Sequence, residues 1–264
     1  MKAKAFTVIL CLAILAGGCK KEEIVLPDTL VKAKADLTTE FENLNELMDL
    51  AATYMASVDL DSTLVRAKLQ EMVNSSSFVA EFSYITPGGI MKIIEPSIYY
   101  GTQGSDISQQ SHISKAFQTR QPVLSQQFLA IEGFYATVFI YPIVKNGSLL
   151  GGITALFFPQ LILENVLKPL FEGKEFEIWV MQKGGSLIYS KDDYEIGRNL
   201  YTDSLYFDFP DLIAAGRKID AGESGKTTYS FYSSAMNNTV TKLTYWDTFT
   251  WYGTEWKLIW VKPE

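Results

Sequence analysis

Residues 134–158 read FYATVFIYPIVKNGSLLGGITALFF, and this stretch decides the fold. Two runs rich in β-branched and aromatic residues, Phe134 to Val144 and Leu149 to Phe158, flank Asn146-Gly147. That pair between strand-like runs is the strongest short-range hairpin signal, because both turn positions need a positive φ. Before it, Phe78 to Tyr84 and Ile90 to Ile94 are strand-like around a Pro87-Gly88-Gly89 turn, and Ser108 to Thr119 reads as a short polar helix. Further back, Leu37, Phe41, Leu44, Leu47, Met48, Ala51, Ala52, Met55 and Val58 recur at helical spacing, with Asp36 as a cap. Asp59 to Ser62 can bend or re-cap this helix, which continues to Ser75 as a spine over 36–75. Leu161 to Phe171 is a helical link into a second series of strands: Phe176 to Gln182, Ser186 to Ser190, Lys226 to Ser233, Lys242 to Trp251 and Glu255 to Val261. A loop-and-helix region over 196–217 interrupts them. The predicted class is α+β: a long N-terminal helix, then two modules at 76–165 and 166–262, each a mainly antiparallel sheet with helices.

The first residues carry a different message. Lys2 and Lys4 precede the apolar run Phe6 to Ala16, and Ala16-Gly17-Gly18-Cys19 closes it. A basic start, a short apolar core and a small-residue cleavage site make a secretory signal, and the run is too short to span a bilayer. The segment resembles a lipoprotein signal, which implies removal of 1–18 and a lipid on Cys19, with 19–35 as a tether containing Pro27. The alternative is an ordinary cut near Gly18 that leaves a free thiol. The expected place is the outer face of the cytoplasmic membrane or the periplasmic side, with membrane lipid reached through Cys19.

Losing Lys2 and Lys4 takes the formal charge from −7 to −9. An acidic chain whose basic cluster is Lys20-Lys21 is no nucleic-acid binder. Cys11 falls in the signal, so Cys19 is the single remaining cysteine and a disulfide framework is excluded. One histidine, His112, gives too few soft ligands for a transition-metal cluster. Asp192, Asp193 and Glu195 lack the spacing of a calcium loop. Ser105, Asp106 and His112 can be drawn as a catalytic triad, but no nucleophile elbow accompanies them, so neither an enzyme nor a cofactor is expected. Phe157-Phe158, Trp246, Trp251, Trp256 and Trp260 read as packing, with a second pocket as the alternative for the four tryptophans. His112 stands evenly between a pocket residue and a packed imidazole.

Three stretches carry a family likeness. Gly104-Ser105-Asp106-Ile107-Ser108 leads into Lys115 to Ser125, Tyr141 to Gly152 forms a proline-bearing strand, turn and return strand, and Gly185 to Tyr189, Ile196 to Leu200 and Gly222 to Gly225 follow in order. With the closing Trp256 to Val261, this series resembles the double Cache (PDC, PAS-like) extracytoplasmic sensor domain over about 37–262. The resemblance implies a ligand pocket in the membrane-distal module, 76–165, between the polar helix and the sheet, with 166–262 as the proximal module. It implies Tyr99, Asp106, Ser108, Ser111, His112, Tyr135, Thr137 and Phe139 as the ligand-binding set. The amino-acid-binding branch uses Arg, Trp and Tyr on the helix and an Asp on the last strand. Here no Arg or Trp precedes Arg120 on the helix, and the strand position falls near Phe157. The implied ligand is therefore small and neutral or moderately apolar, and the expected listener is a separate membrane receptor or transporter. The competing expectation is a structural lipoprotein scaffold without a ligand. A closed polar cavity around His112 favours the first, and a filled distal core favours the second.

Overall fold

The structure is a computed structural model and describes residues 24–233 and 238–264. The expected signal peptide, Cys19 and Lys20-Lys21 lie outside the described residues. Helix α1 runs over Asp28–Met55 and α2 over Thr63–Ser75. The spine is thus two helices. It also begins eight residues before Asp36, because Leu30 and Ala33 extend the buried stripe of Leu37, Phe41, Leu44 and Met48 towards the N-terminus. Residues 28–35, read from the sequence as tether, are helix. The bend expected at Asp59 to Ser62 separates the two helices.

The first sheet is built from β1 (Val79–Ile85), β2 (Met91–Glu95), β3 (Val123–Leu124), β5 (Tyr135–Lys145) and β6 (Ser148–Phe157), in the order β2-β1-β6-β5-β3. The short β4 (Phe128–Leu129) pairs with β5, and all pairings are antiparallel. Asn146 (φ 50°) and Gly147 (φ 78°) form the tight turn that the sequence predicts between β5 and β6. Helix α3 (Ser111–Thr119) lies on one face of this sheet, and α1 and α2 lie on the other. The two faces form separate cores. Phe82, Tyr84, Phe139, Ile153, Ala155 and Phe157 join the core under α1, whereas Ile85, Val138, Ile140 and Leu156 pack with Ile113 and Ala116 of α3.

Helix α4 (Pro159–Phe171) leads into the second sheet. Its strands are β7 (Glu177–Gln182), β8 (Leu187–Tyr189), β9 (Ser224–Tyr232), β10 (Thr239–Trp251) and β11 (Thr254–Pro263), in the order β8-β7-β11-β10-β9. Helix α5 (Pro210–Ala221) packs on β9. The two sheets share α1. Lys34 of α1 pairs with Asp247 of β10 at 3.0 Å, and Asp49, four turns further on, accepts from Tyr141 of β5 at 2.6 Å. Between them, the Phe41 ring lies 6.0 Å from Phe157 in the first module and 5.5 Å from Trp256 in the second. The predicted α+β architecture of a long helix and two antiparallel modules is the one observed.

Candidate functional site

The site grows from a parity fact. Side chains alternate along a strand, so Glu81 and Ser83 of β1 share the face of Ile85, towards α3. Glu81 is 1% exposed, in a strand whose other members are mostly apolar. It lines a cavity with His112 and Gln110 at the start of α3, Phe128 of β4, Glu132 of the following loop, Val138 of β5, and Thr154 and Leu156 of β6. The loop before α3 is held in place by its backbone. Ile107 donates to Gly89 at 2.9 Å, Met91 donates to Ser105 at 3.0 Å, and Asp106 caps the backbone of Ser108 at 2.9 Å. Gly89 (φ 83°) allows this approach, since a Cβ there would come within 2.5 Å of Ser108 Cβ.

Two polar groups face the cavity without a partner among the described residues: Glu81 Oε2 and His112 Nε2. A buried polar group left unbonded costs about 1–3 kcal/mol, which makes these two atoms candidate contacts for a ligand. Burial, reinforced by the neighbouring Glu132 carboxylate, pushes Glu81 up to about 8. Burial alone pushes His112 down to about 4, leaving a neutral imidazole at neutral pH. The inner cavity is small, about 20 Å³, with room for about one water. It adjoins an outer groove of about 500 Å³ lined by Ser111, Lys115, Ser125, Gln126 and Gln127. Gln110, His112 and Phe128 border both spaces, and the His112 and Phe128 rings lie 5.0 Å apart as the partition.

The second module has a comparable small cavity, also about 20 Å³, but its polar lining is paired. Glu195 accepts from Ser190 at 3.0 Å and Tyr206 at 3.3 Å, and Lys242 pairs with Glu177 at 3.2 Å. Among the described residues, no group of three or more His, Cys, Asp or Glu is placed to hold a metal. The unpaired groups, and hence the better site, are in the distal module.

The sequence-derived set divides. His112 is in the partition and Ser111 lies on the groove, whereas Tyr99 lines neither space and packs on the α3-side core, 6.0 Å from Phe134. Asp106 and Ser108 shape the loop into α3. Tyr135 is 62% exposed, and Phe139 belongs to the core under α1, where it stacks 5.5 Å from Tyr252 of the second module. Thr137, directly opposite Phe157, faces the same way as Phe139. The structure therefore gives the cavity face of β5 to Ala136, Val138 and Ile140, one residue out of register with the sequence-derived choice. Sequence reasoning missed Glu81, Gln110, Phe128, Glu132 and Thr154. The isolated carboxylate in VAEFSYI was the signal for Glu81; Glu132, on a loop, offered none.

Residues 39–159 match the family described as HK/GC/Chemotaxis protein-like, sensor domain. Among solved structures, an extracellular ligand binding receptor from Desulfohalobium retbaense DSM5692 is 23% identical with a TM-score of 0.73, covering 89% of this chain and 39% of its own. This chain thus spans about two fifths of that receptor. The ligand-binding domain of the Pseudomonas aeruginosa amino acid chemoreceptor PctB, in complex with L-Arg, is 13% identical with a TM-score of 0.65, covering 90% of this chain and 93% of its own. That of the Pseudomonas fluorescens chemoreceptor CtaA, in complex with L-alanine, is 12% identical with a TM-score of 0.62, covering 90% and 95%. No curated protein sequence matches the chain. What is shared with these structures is the fold, the double Cache arrangement of a long helix and two antiparallel modules.

Proposed function

We propose that this double Cache sensor domain binds a small molecule in its distal module, is held at a membrane by a lipid on Cys19, and passes its signal to a separate membrane receptor or transporter. The observation that carries the binding reading is the convergence of Glu81 Oε2 and His112 Nε2, both buried and unbonded among the described residues, on one cavity. The similar ligand-binding domains, two of them in complex with amino acids, support small-molecule recognition in this architecture.

The anchor reading rests on the basic start, the apolar run and the small residues ending at Cys19. Helix α1 begins at Asp28 and contacts the proximal sheet through Lys34, so an anchor at Cys19 would set the proximal module nearer the membrane and the cavity farther out. Among the described residues no helix is long and apolar enough to cross a membrane.

A thermal-shift screen of the protein against small amines, carboxylates, purines and sugars tests the binding reading. The expected result is a raised midpoint with at least one class, lost on His112→Ala. A midpoint that no compound moves would favour the scaffold reading, which the small inner cavity also fits. The anchor has its own test: Cys19→Ala should move the protein from the membrane fraction to the soluble one.

A further inference from the structure

Helix α4 carries the chain from one module to the other, and one of its sides faces a groove outside both inner cavities. Gln160, Glu164, Lys168 and Phe171 follow at spacings of four, four and three, so they share one face of the helix. Opposite them stand Tyr189 at the end of β8 and, in the turn beyond it, Lys191, Asp193 and Ile196. The space between measures about 480 Å³, within the ~300–1,000 Å³ range of small-molecule sites. Leu187 of β8 packs with α5, whereas Ile188 and Tyr189 join the core under α1. The groove therefore lies on the α1–α4 side of the second sheet. The small proximal cavity lies on the α5 side, with Ser190 and Lys191 at the shared edge.

Floor and rim differ in kind. The floor is built from the buried rings of Phe171 and Tyr189. Half-buried Gln160 adds an amide whose Oε1 is shielded from solvent and has no hydrogen-bond partner among the described residues. The rim is exposed and charged, with both signs in equal number: Glu164, Glu172 and Asp193 against Lys168, Lys174 and Lys191. These charges converge. The 2.9 Å hydrogen bond to Glu164 pushes the Lys168 pKa up, and Glu172 and Asp193 add to it. Burial, reinforced by Glu164 and Asp193, pushes the Tyr189 hydroxyl up to about 12. That hydroxyl keeps its proton at neutral pH and can both donate and accept.

Such a rim selects against net charge. A cation is drawn by three carboxylates and repelled by three ammonium groups, and an anion meets the reverse. A hydroxyl group donates to a carboxylate or to Gln160 Oε1 and accepts from an ammonium, so it finds a partner anywhere along the rim. A pyranose carries hydroxyls around its edge and C–H groups on its faces, and an aromatic floor covers the latter. We infer that the groove between α4 and β8 binds a neutral saccharide, its ring against Phe171 and Tyr189 and its hydroxyls bonded to Gln160, Glu164, Lys191 and Asp193. This site is separate from the distal cavity and stands without the binding reading above. A saccharide there sits at the junction of the two modules.

The test is calorimetric titration of the full chain with glucose, galactose, N-acetylglucosamine, maltose and sucrose, and with butylammonium and succinate as charged probes. At least one saccharide is expected to bind, with each charged probe at least about tenfold weaker. Tyr189→Phe removes one hydroxyl and Gln160→Ala one amide; each is expected to weaken the saccharide about three- to tenfold, the worth of one hydrogen bond. Asp193→Asn, on the exposed turn, gives the same comparison without touching the core, should either of the others fail to fold. Charged probes binding as well as saccharides would overturn the ligand class. Binding that His112→Ala removes and Tyr189→Phe leaves intact would put the saccharide in the distal cavity, overturning the groove but not the binding reading. Absence of binding by every saccharide would also overturn the groove, whereas the distal reading falls only if the broader thermal-shift screen fails as well.

Discussion

At the scale of the residue, Glu81 is a stability switch. Its pKa rises from 4.5 in the unfolded chain to about 8 in the native protein, because the charged form is desolvated and faces Glu132. A native acid with a raised pKa keeps a proton that the unfolded chain has lost, so its contribution to stability falls as pH climbs through that window. His112 works in the opposite sense: its pKa falls from 6.5 to about 4, so stability is gained as pH rises across that range. Glu195, pushed up to about 7 chiefly by burial, adds to the loss on the alkaline side. Comparing Glu81→Gln with the unaltered protein cancels the other two. The variant should be nearly neutral at about pH 4 and more stable by on the order of 3 kcal/mol at about pH 8. Chemical denaturation across pH reads this directly, and a difference that does not grow with pH would mean Glu81 is not a protonated buried acid.

At the scale of the element, β5 carries two functions on opposite faces. Val138 faces the cavity and Phe139 faces α1 and Tyr252. Val138→Ala should enlarge the cavity and alter ligand selectivity at a cost of about 1–2 kcal/mol, whereas Phe139→Ala should leave selectivity alone and cost about 3–5 kcal/mol. Ligand profiles and unfolding midpoints of the two variants give the comparison; swapped outcomes would mean that the strand faces are reversed. This strand also marks how far the sequence could be read. Asn146-Gly147 and the strands on either side were legible because turn chemistry is local. The face of Thr137 and Phe139 was not, because β5 is buried on both sides and the alternation of polar and apolar residues that reveals a face is missing. The start of α1 was hidden for another reason. Asp28, Lys32 and Lys34 make 28–35 look like a charged tether, while Leu30 and Ala33 hold the inward positions. Glu81 was within reach: a carboxylate in an otherwise buried strand needs either a partner or a purpose.

At the scale of the whole molecule, α1 makes the two modules one unit. Phe41 contacts Phe157 on one side and Phe249, Trp251 and Trp256 on the other. Phe41→Ala should cost about 3–5 kcal/mol and split a single unfolding transition into two, visible by calorimetry as a broadened or doubled peak. A single sharp transition at lower temperature would mean the modules are joined elsewhere. A second connection does exist, in the chain between α3 and β5. Gln127 N donates to Gln182 Oε1 at 2.8 Å, and Thr254 Oγ1 donates to Leu124 O at 2.5 Å, so 124–127 is fastened to the proximal sheet at two points. Phe128, the ring that partitions inner cavity from outer groove, is the very next residue. The backbone that carries this ring is thereby tied to Gln182 of β7 and to Thr254 at the β10–β11 turn, so the partition of the first module's cavity is held in place partly by the second module.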